Sequence, residues 1–165
     1  MIGVFDVGYS GDRATVGCVT LEAFGESEPL RQWVVSTECS EEYTPGAFYR
    51  RELQPLLVAL QSSPELSVCV VDAFVDLGED RTPGLGRILF EQTGVPVIGV
   101  AKSRYPGTPP DLEVLRGASR CPLFVSAAGL DDELARDSVR AMAGAGRIPS
   151  MLRLADRLAR QGVDV

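Results

Sequence analysis

The sequence contains no histidine, and only 7% of its 165 residues are aromatic, one of them tryptophan. The first absence excludes every mechanism that needs an imidazole: a Ser–His or Cys–His nucleophile pair, a histidine-ligated zinc, a histidine proton shuttle. Acid–base or metal chemistry in this chain must fall to carboxylates and lysine. Four cysteines, Cys18, Cys39, Cys69 and Cys121, stand far apart with no CxxC spacing, so no zinc site is encoded. Cys18 and Cys69 lie inside apolar runs and read as small core residues of a reducing compartment. No window approaches the roughly 18 apolar residues of a membrane span. The opening MIGVFDVGYS lacks the basic and long apolar stretches of a secretory signal, so a soluble cytoplasmic protein is expected. Positive charge is also scarce: 16 Lys+Arg against 23 Asp+Glu leave a net charge of −7. That balance counts against a broad basic face gripping nucleic acid tightly and without specificity, although an acidic total can still hold a local basic groove. Carboxylates gathered around a divalent cation would inflate the negative count without repelling a substrate once the cation is bound.

What is there is enough apolar residue, 45%, for one core, and residues 1–165 read as a single domain with no repeat or linker. Ile2–Val7, Ala14–Leu21 and Arg31–Thr37 predict three consecutive strands. From Gly46 the period changes: Phe48, Leu53, Leu56, Leu57 and Leu60 fall at helical spacing, and Pro64 closes the element. Ser67–Val71 and Val95–Ala101 are continuous apolar runs of the buried-strand type, with a helix over Pro83–Gln92 between them, entered at its proline. Pro122–Ser126 predicts a last strand, and Asp131–Ala143 and Pro149–Arg160 two closing helices. Strands in a block, then alternating helix and strand, predict an α/β fold with a mixed central sheet and helices on both faces.

Two carboxylates stand out against this pattern. Asp6 interrupts an apolar strand and Asp72 ends another, positions where a buried charge is costly unless paired or bound to a cation. Singly, each is also what a strand-end turn former or helix cap looks like; together they suit Mg²⁺, a hard cation usually held by one or two carboxylates plus substrate phosphate. Glu52 shares the flank of the apolar stripe in its helix, though solvated helix carboxylates are as common there. Lys102 emerges from the end of VPVIGVA, expected on the same sheet edge as Asp72, where it could hold an attacking water or neutralise charge on a reacting phosphate. Asp156, in LRLADRLAR, reads on its own as a salt-bridging helix residue. Arg147, Arg153, Arg157 and Arg160 around it are either a phosphate-facing patch or a solvated face. Tyr9, beside Asp6, is either a stacking residue or a rim aromatic.

Six blocks in order resemble the endonuclease V family: GVFDVGYS its G-x-D-V-(A/G)-Y opening, YTPGAFYRRE its Y-I-P-G-(x)4-R-E segment, VVDAF its V-D-G, PVIGVAKSRYPG its I-G-V-A-K-S, RGASRCPLFVSAAG its R-G-(x)n-P-(L/V)-Y-V-S-x-G-H, and RIPSMLRLAD its R-(I/L)-P-E-P-x-R-x-A-D. They run from residue 2 to about 160. The resemblance implies a ribonuclease H-like three-layer α/β/α fold. It implies a Mg²⁺-dependent endonuclease, with Mn²⁺ able to substitute, acting on DNA or RNA that is single-stranded or locally opened near inosine or deoxyinosine, and leaving a 3′-hydroxyl and a 5′-phosphate. Asp6, Asp72 and Glu52 would be the metal carboxylates, Lys102 the lysine near the scissile phosphate and Asp156 the acidic residue of the last helix. Tyr43, Pro45 and Gly46 fall on the family's strand-separating wedge, Gly84 and Leu85 near its base-pocket helix. Arg116 and Arg120 flank a loop that the family places near nucleic acid.

The departures concern the base. The family's D-G-H-G-x-x-H-P-R-R stretch is here residues 72–81, with Ala73 and Val75 where glycines would let a flipped base approach the backbone. Glu42 stands where the wedge usually has proline. The chain is also shorter than typical family members before the first strand and between Lys102 and Arg116, which implies a reduced nucleic-acid surface. Three readings follow: an inosine-directed endonuclease, a metal-dependent phosphodiesterase on another RNA or nucleotide, and a non-catalytic binding module. The last sits poorly with five buried-leaning charges at the family's positions.

Overall fold

A computed structural model describes residues 1–38 and 48–161. Seven strands form one mixed sheet in the order β3-β2-β1-β4-β7-β9-β8. β1 (Ile2–Ser10), β2 (Arg13–Leu21) and β3 (Arg31–Glu38) are an antiparallel meander, and β4 (Val68–Val71) and β7 (Val97–Ala101) run parallel to β1. β9 (Leu123–Ala128) and the two-residue β8 (Glu113–Val114) finish the far edge antiparallel. α1 (Phe48–Gln61) and α2 (Leu85–Thr93) cover one face; α3 (Asp132–Ala141) and α4 (Ser150–Gln161) cover the other. This is the three-layer arrangement the sequence predicts.

Several boundaries differ from the sequence reading, each for a physical reason. β1 runs three residues past Val7 because it keeps pairing across the hairpin, Tyr9 with Ala14 and Ser10 with Arg13. α1 stops at Gln61, short of Pro64, where the hydroxyls of Ser62 and Ser63 both donate to the Ala59 carbonyl and take up the helix end. Pro83 does not enter α2. It pairs with Asp76 in a small hairpin of β5 (Asp76–Leu77) and β6 (Thr82–Pro83), and Gly84 caps the helix after it.

The two faces are packed by different means. On the α1 side, Phe5, Val16 and Cys18 of the sheet meet Leu53, Leu56 and Ala59 in an ordinary side-chain core. Burial pushes the Cys18 thiol up to about 12 and raises Cys69 as well, so both are inert core groups, as expected. On the other side, α4 lies directly on the backbone of β1 and β2. A Cβ on Gly17 would overlap the Ala155 carbonyl, and one on Gly8 would come within 2.6 Å of the Ala159 oxygen. Small residues on both partners let helix and sheet approach until main chain touches main chain.

Candidate functional site

The parallel strands bring the chemistry together. Phe5 pairs with Val71, so the next residues, Asp6 and Asp72, leave the sheet side by side at one edge, and Val71 pairs with Gly99 three residues before Lys102. The Lys102 ammonium forms an ion pair with the Asp72 carboxylate. α1 reaches over the same edge with Glu52 and α4 with Asp156, whose Oδ1 accepts a hydrogen bond from Arg160 Nε at 2.8 Å. Five residues from five elements thus share one electrostatic neighbourhood.

Their protonation shows how closely they interact. Burial, then repulsion from Asp72 and Asp156, push Asp6 up to about 7 despite the opposing pull of Lys102 and the Val7 amide, which donates to Asp6 Oδ1 at 2.8 Å. Glu52 is likewise raised to about 7, by burial first and then by Asp6 and Asp72, with Arg51 offsetting part of it. For Lys102, burial works against the ammonium, but the Asp72 hydrogen bond and the attraction of Asp72, Asp6 and Asp156 outweigh it and raise its pKa. Negative charge crowded with one ammonium is a site short of positive charge.

The donors are hard oxygens, which in kind suit Mg²⁺. Among the described residues, no three carboxylates form a ready-made cage. Mg²⁺ does not require one, because it keeps several waters and takes its remaining ligands from one or two carboxylates and substrate phosphate.

Beside the carboxylates opens a cavity of about 410 Å³, lined by Tyr49, Glu52, Asp72, Ala73, Phe74, Leu77, Gly84, Leu85 and Tyr105. Gly84 and Leu85 are therefore where the sequence reading put them, on a pocket wall. Tyr49, Phe74, Leu77 and Tyr105 were not singled out from sequence; the YPG turn signal around Tyr105 and the aromatic following Asp72 were the available clues. Val75 does not obstruct this pocket. It is fully buried and points the other way, with its side chain against Gly86 and Gly99, where a Cβ would come within 2.8 and 3.0 Å of Val75 Cγ2.

The arginines divide by role. Arg116 does not face nucleic acid: its side chain is buried, and its guanidinium donates to the carbonyls of Met142, Gly144, Gly146 and Arg147, tying down the loop between α3 and α4. This corrects the expectation drawn from its place in the motif. A cation surrounded by four main-chain acceptors is a structural clamp. Arg147 does similar work on the carbonyls of Lys102, Cys121 and Pro122 and so fixes the backbone of the lysine. Arg160 holds Asp156, while Arg153, Arg157 and Arg120 are exposed. The Arg51 guanidinium lies over the Tyr9 ring, 4.1 Å from the ring centroid, and so links α1 to β1. Tyr43, Pro45 and Gly46 lie outside the described residues.

A family model described as Endonuclease V matches residues 1–121. Endonuclease V of Thermococcus kodakarensis is 33% identical over 160 residues, which cover 96% of this chain and 77% of that protein. The crystal structure of endonuclease V from Streptomyces avermitilis aligns at a TM-score of 0.75 and 29% identity, covering 96% of this chain and 78% of its own. Ciona intestinalis endonuclease V, solved in complex with a 23mer DNA containing an inosine followed by a ribo-adenosine, aligns at a TM-score of 0.79 and 22% identity, covering 96% and 83%. The shared fold is ribonuclease H-like.

Proposed function

The chain belongs to the endonuclease V family, a family of nucleases, and on that premise we propose that it hydrolyses a phosphodiester bond of DNA or RNA near an inosine-type base, using Mg²⁺ or Mn²⁺. The observation that carries this is the meeting of Asp6, Glu52, Asp72 and Asp156 with Lys102 at one sheet edge, delivered by strands and helices far apart in sequence. The inosine complex of the Ciona protein supports the choice of base by analogy of fold.

Asp6 and Asp72 would hold the cation, with Glu52 as a further ligand or as the carboxylate orienting a water. When bound, the cation supplies neutralisation of the phosphate and a more acidic water. The rest falls to the chain itself. Lys102, kept as an ammonium by Asp72, is a proton donor and a positive charge; it cannot serve as the base, so its task is to offset charge growing on the phosphate oxygens. Glu52, buried and facing Asp6 and Asp72, is the carboxylate placed to share the cation or to orient a water beside it. Asp156, tethered by Arg160, closes the side of the site formed by α4.

The test is cleavage of matched single-stranded and duplex DNA and RNA oligonucleotides, with and without one inosine, in Mg²⁺ or Mn²⁺. The wild-type chain should cut, and Asp6→Asn should lose about a hundred-fold or more of the rate. Metal-dependent cutting that survives Asp6→Asn would place the chemistry elsewhere, and no cutting of any substrate would favour a binding module.

A further inference from the structure

We propose that a second cavity, framed by the β5–β6 hairpin, β9 and the start of α3, binds a primary alkylammonium, the group carried by polyamines and by lysine side chains. It holds about 150 Å³, shares no lining residue with the cavity beside Glu52 and Asp72, and stands independently of the nuclease reading. Four carboxylates line it: Asp76 and Glu79 of the hairpin, Asp111 of a 3₁₀ turn (Pro110–Leu112) and Asp132 in the first turn of α3. Two guanidiniums face them. Arg87 takes both oxygens of Asp76, at 2.9 and 2.7 Å, and Arg81 Nη2 lies between Asp76 and Asp132, 3.3 and 3.8 Å from their Oδ2 atoms. Glu79 and Asp111 have no ion pair among the described residues. Carboxylates alone would be a solvated rim; Ser126 makes this a site. Ser126 lines the same cavity, is 2% exposed, and its hydroxyl has no hydrogen-bond partner among the described residues. A buried hydroxyl without a partner is costly, and a ligand that supplies the partner accounts for it.

The chain itself shows that a cation is accepted here. Arg81 reaches between two carboxylates, yet its side chain is 59% exposed, and 3.8 Å to Asp132 is too long for a hydrogen bond. Asp132 Oδ2 is therefore open to a better donor, while its Oδ1 accepts from the Ala127 amide at 2.7 Å. The acceptors come from separate elements: Asp132 from α3, Ser126 from β9, Glu79 and Asp111 from two loops. An ammonium turns three donors in three directions and suits such a set, whereas the donors of a guanidinium lie in one plane. Among the described residues no three carboxylates are grouped to hold a bare metal ion, which favours a ligand that brings its own donors. Pro109 and Leu112 add an apolar wall along which a methylene stem can lie.

The probes are 1,5-diaminopentane and N-acetyl-lysine amide, titrated into the full chain by calorimetry and followed at the Ala127 amide resonance. Both should saturate, and that resonance should shift because its proton is donated to Asp132. Ser126→Ala removes a hydroxyl that bonds to nothing in the fold, so the protein should stay folded while affinity falls about ten-fold. Asp132→Asn keeps an oxygen for the Ala127 amide and should lose at least as much. Arg81→Gln should bind more tightly, because a competing cation is gone. Tighter binding of the diamine, whose second ammonium would meet Glu79 and Asp111 at the rim, assigns the site to polyamines; otherwise it takes a lysine side chain, and either result upholds it. Four outcomes would overturn the proposal: no saturable binding of either probe, unchanged affinity in Ser126→Ala or Asp132→Asn, weaker binding by Arg81→Gln, or equal binding of the N-acetyl-lysine amide trimethylated at its ammonium, which has no N–H to donate there.

Discussion

The two faces of the sheet deliver a carboxylate to the same edge in opposite ways. Glu52 rides on α1, which is separated from the strands by a layer of Leu53, Leu56, Phe5 and Val16 that can repack. Asp156 rides on α4, whose main chain rests on Gly8 and Gly17 with nothing between. The first contact is elastic, because side chains can shift within their rotamers; the second is stiff, because a backbone pressed on a backbone has no slack. α1 carries a further source of give, since Pro55 inside it cannot donate to the Arg51 carbonyl and frees the turn that holds Glu52.

This contrast can be broken at three points. Leu56→Ala should cost about 3 kcal/mol by opening a cavity in the α1 core, seen in denaturant unfolding, while turnover per folded molecule stays near wild type; abolished turnover would mean that α1 is as tightly registered as α4. Gly17→Ala should cost about 2 kcal/mol through overpacking, yet depress turnover of the folded protein more than Leu56→Ala does, because Asp156 moves with the helix. Equal turnover in the two variants would erase the distinction. The mildest test is pH. Unfolded, Asp6 and Glu52 titrate near their ordinary values of 3.8 and 4.5; folded, both titrate at about 7. Between those limits the folded state binds more protons, so metal-free protein should lose stability as pH rises from about 4 to about 7. Thermal melts of Glu52→Gln should show a shallower decline, and a slope identical to wild type would show that Glu52 is not crowded as described.

Most of the fold was legible because the strands announce themselves as apolar runs and α1 and α4 as 3.6-residue stripes. The short pieces were not: β5, β6 and β8 have two residues each, too few to carry a period, and Pro83 signals a helix start as well as it does an edge pairing. At the site, Asp6 and Asp72 could be read from charge at the ends of apolar strands, whereas Asp156 and Glu52 needed the ordered motifs, since a helix carboxylate looks the same facing a metal or facing water. Arg116 misled because its motif gives its place in the chain and not its burial. At Val75 the sequence shows only that a glycine's close approach is lost, whereas the room left by Gly86 and Gly99, which the Val75 side chain fills, shows where that side chain goes.

The stiff contact of α4 also sets an order of events during synthesis. Asp6, Glu52, Asp72 and Lys102 leave the ribosome first, and domains fold as their chain emerges. Until residues 150–161 have followed and docked on Gly8 and Gly17, the site lacks its fourth carboxylate. A nascent chain therefore carries an incomplete carboxylate cluster until its last described helix is in place.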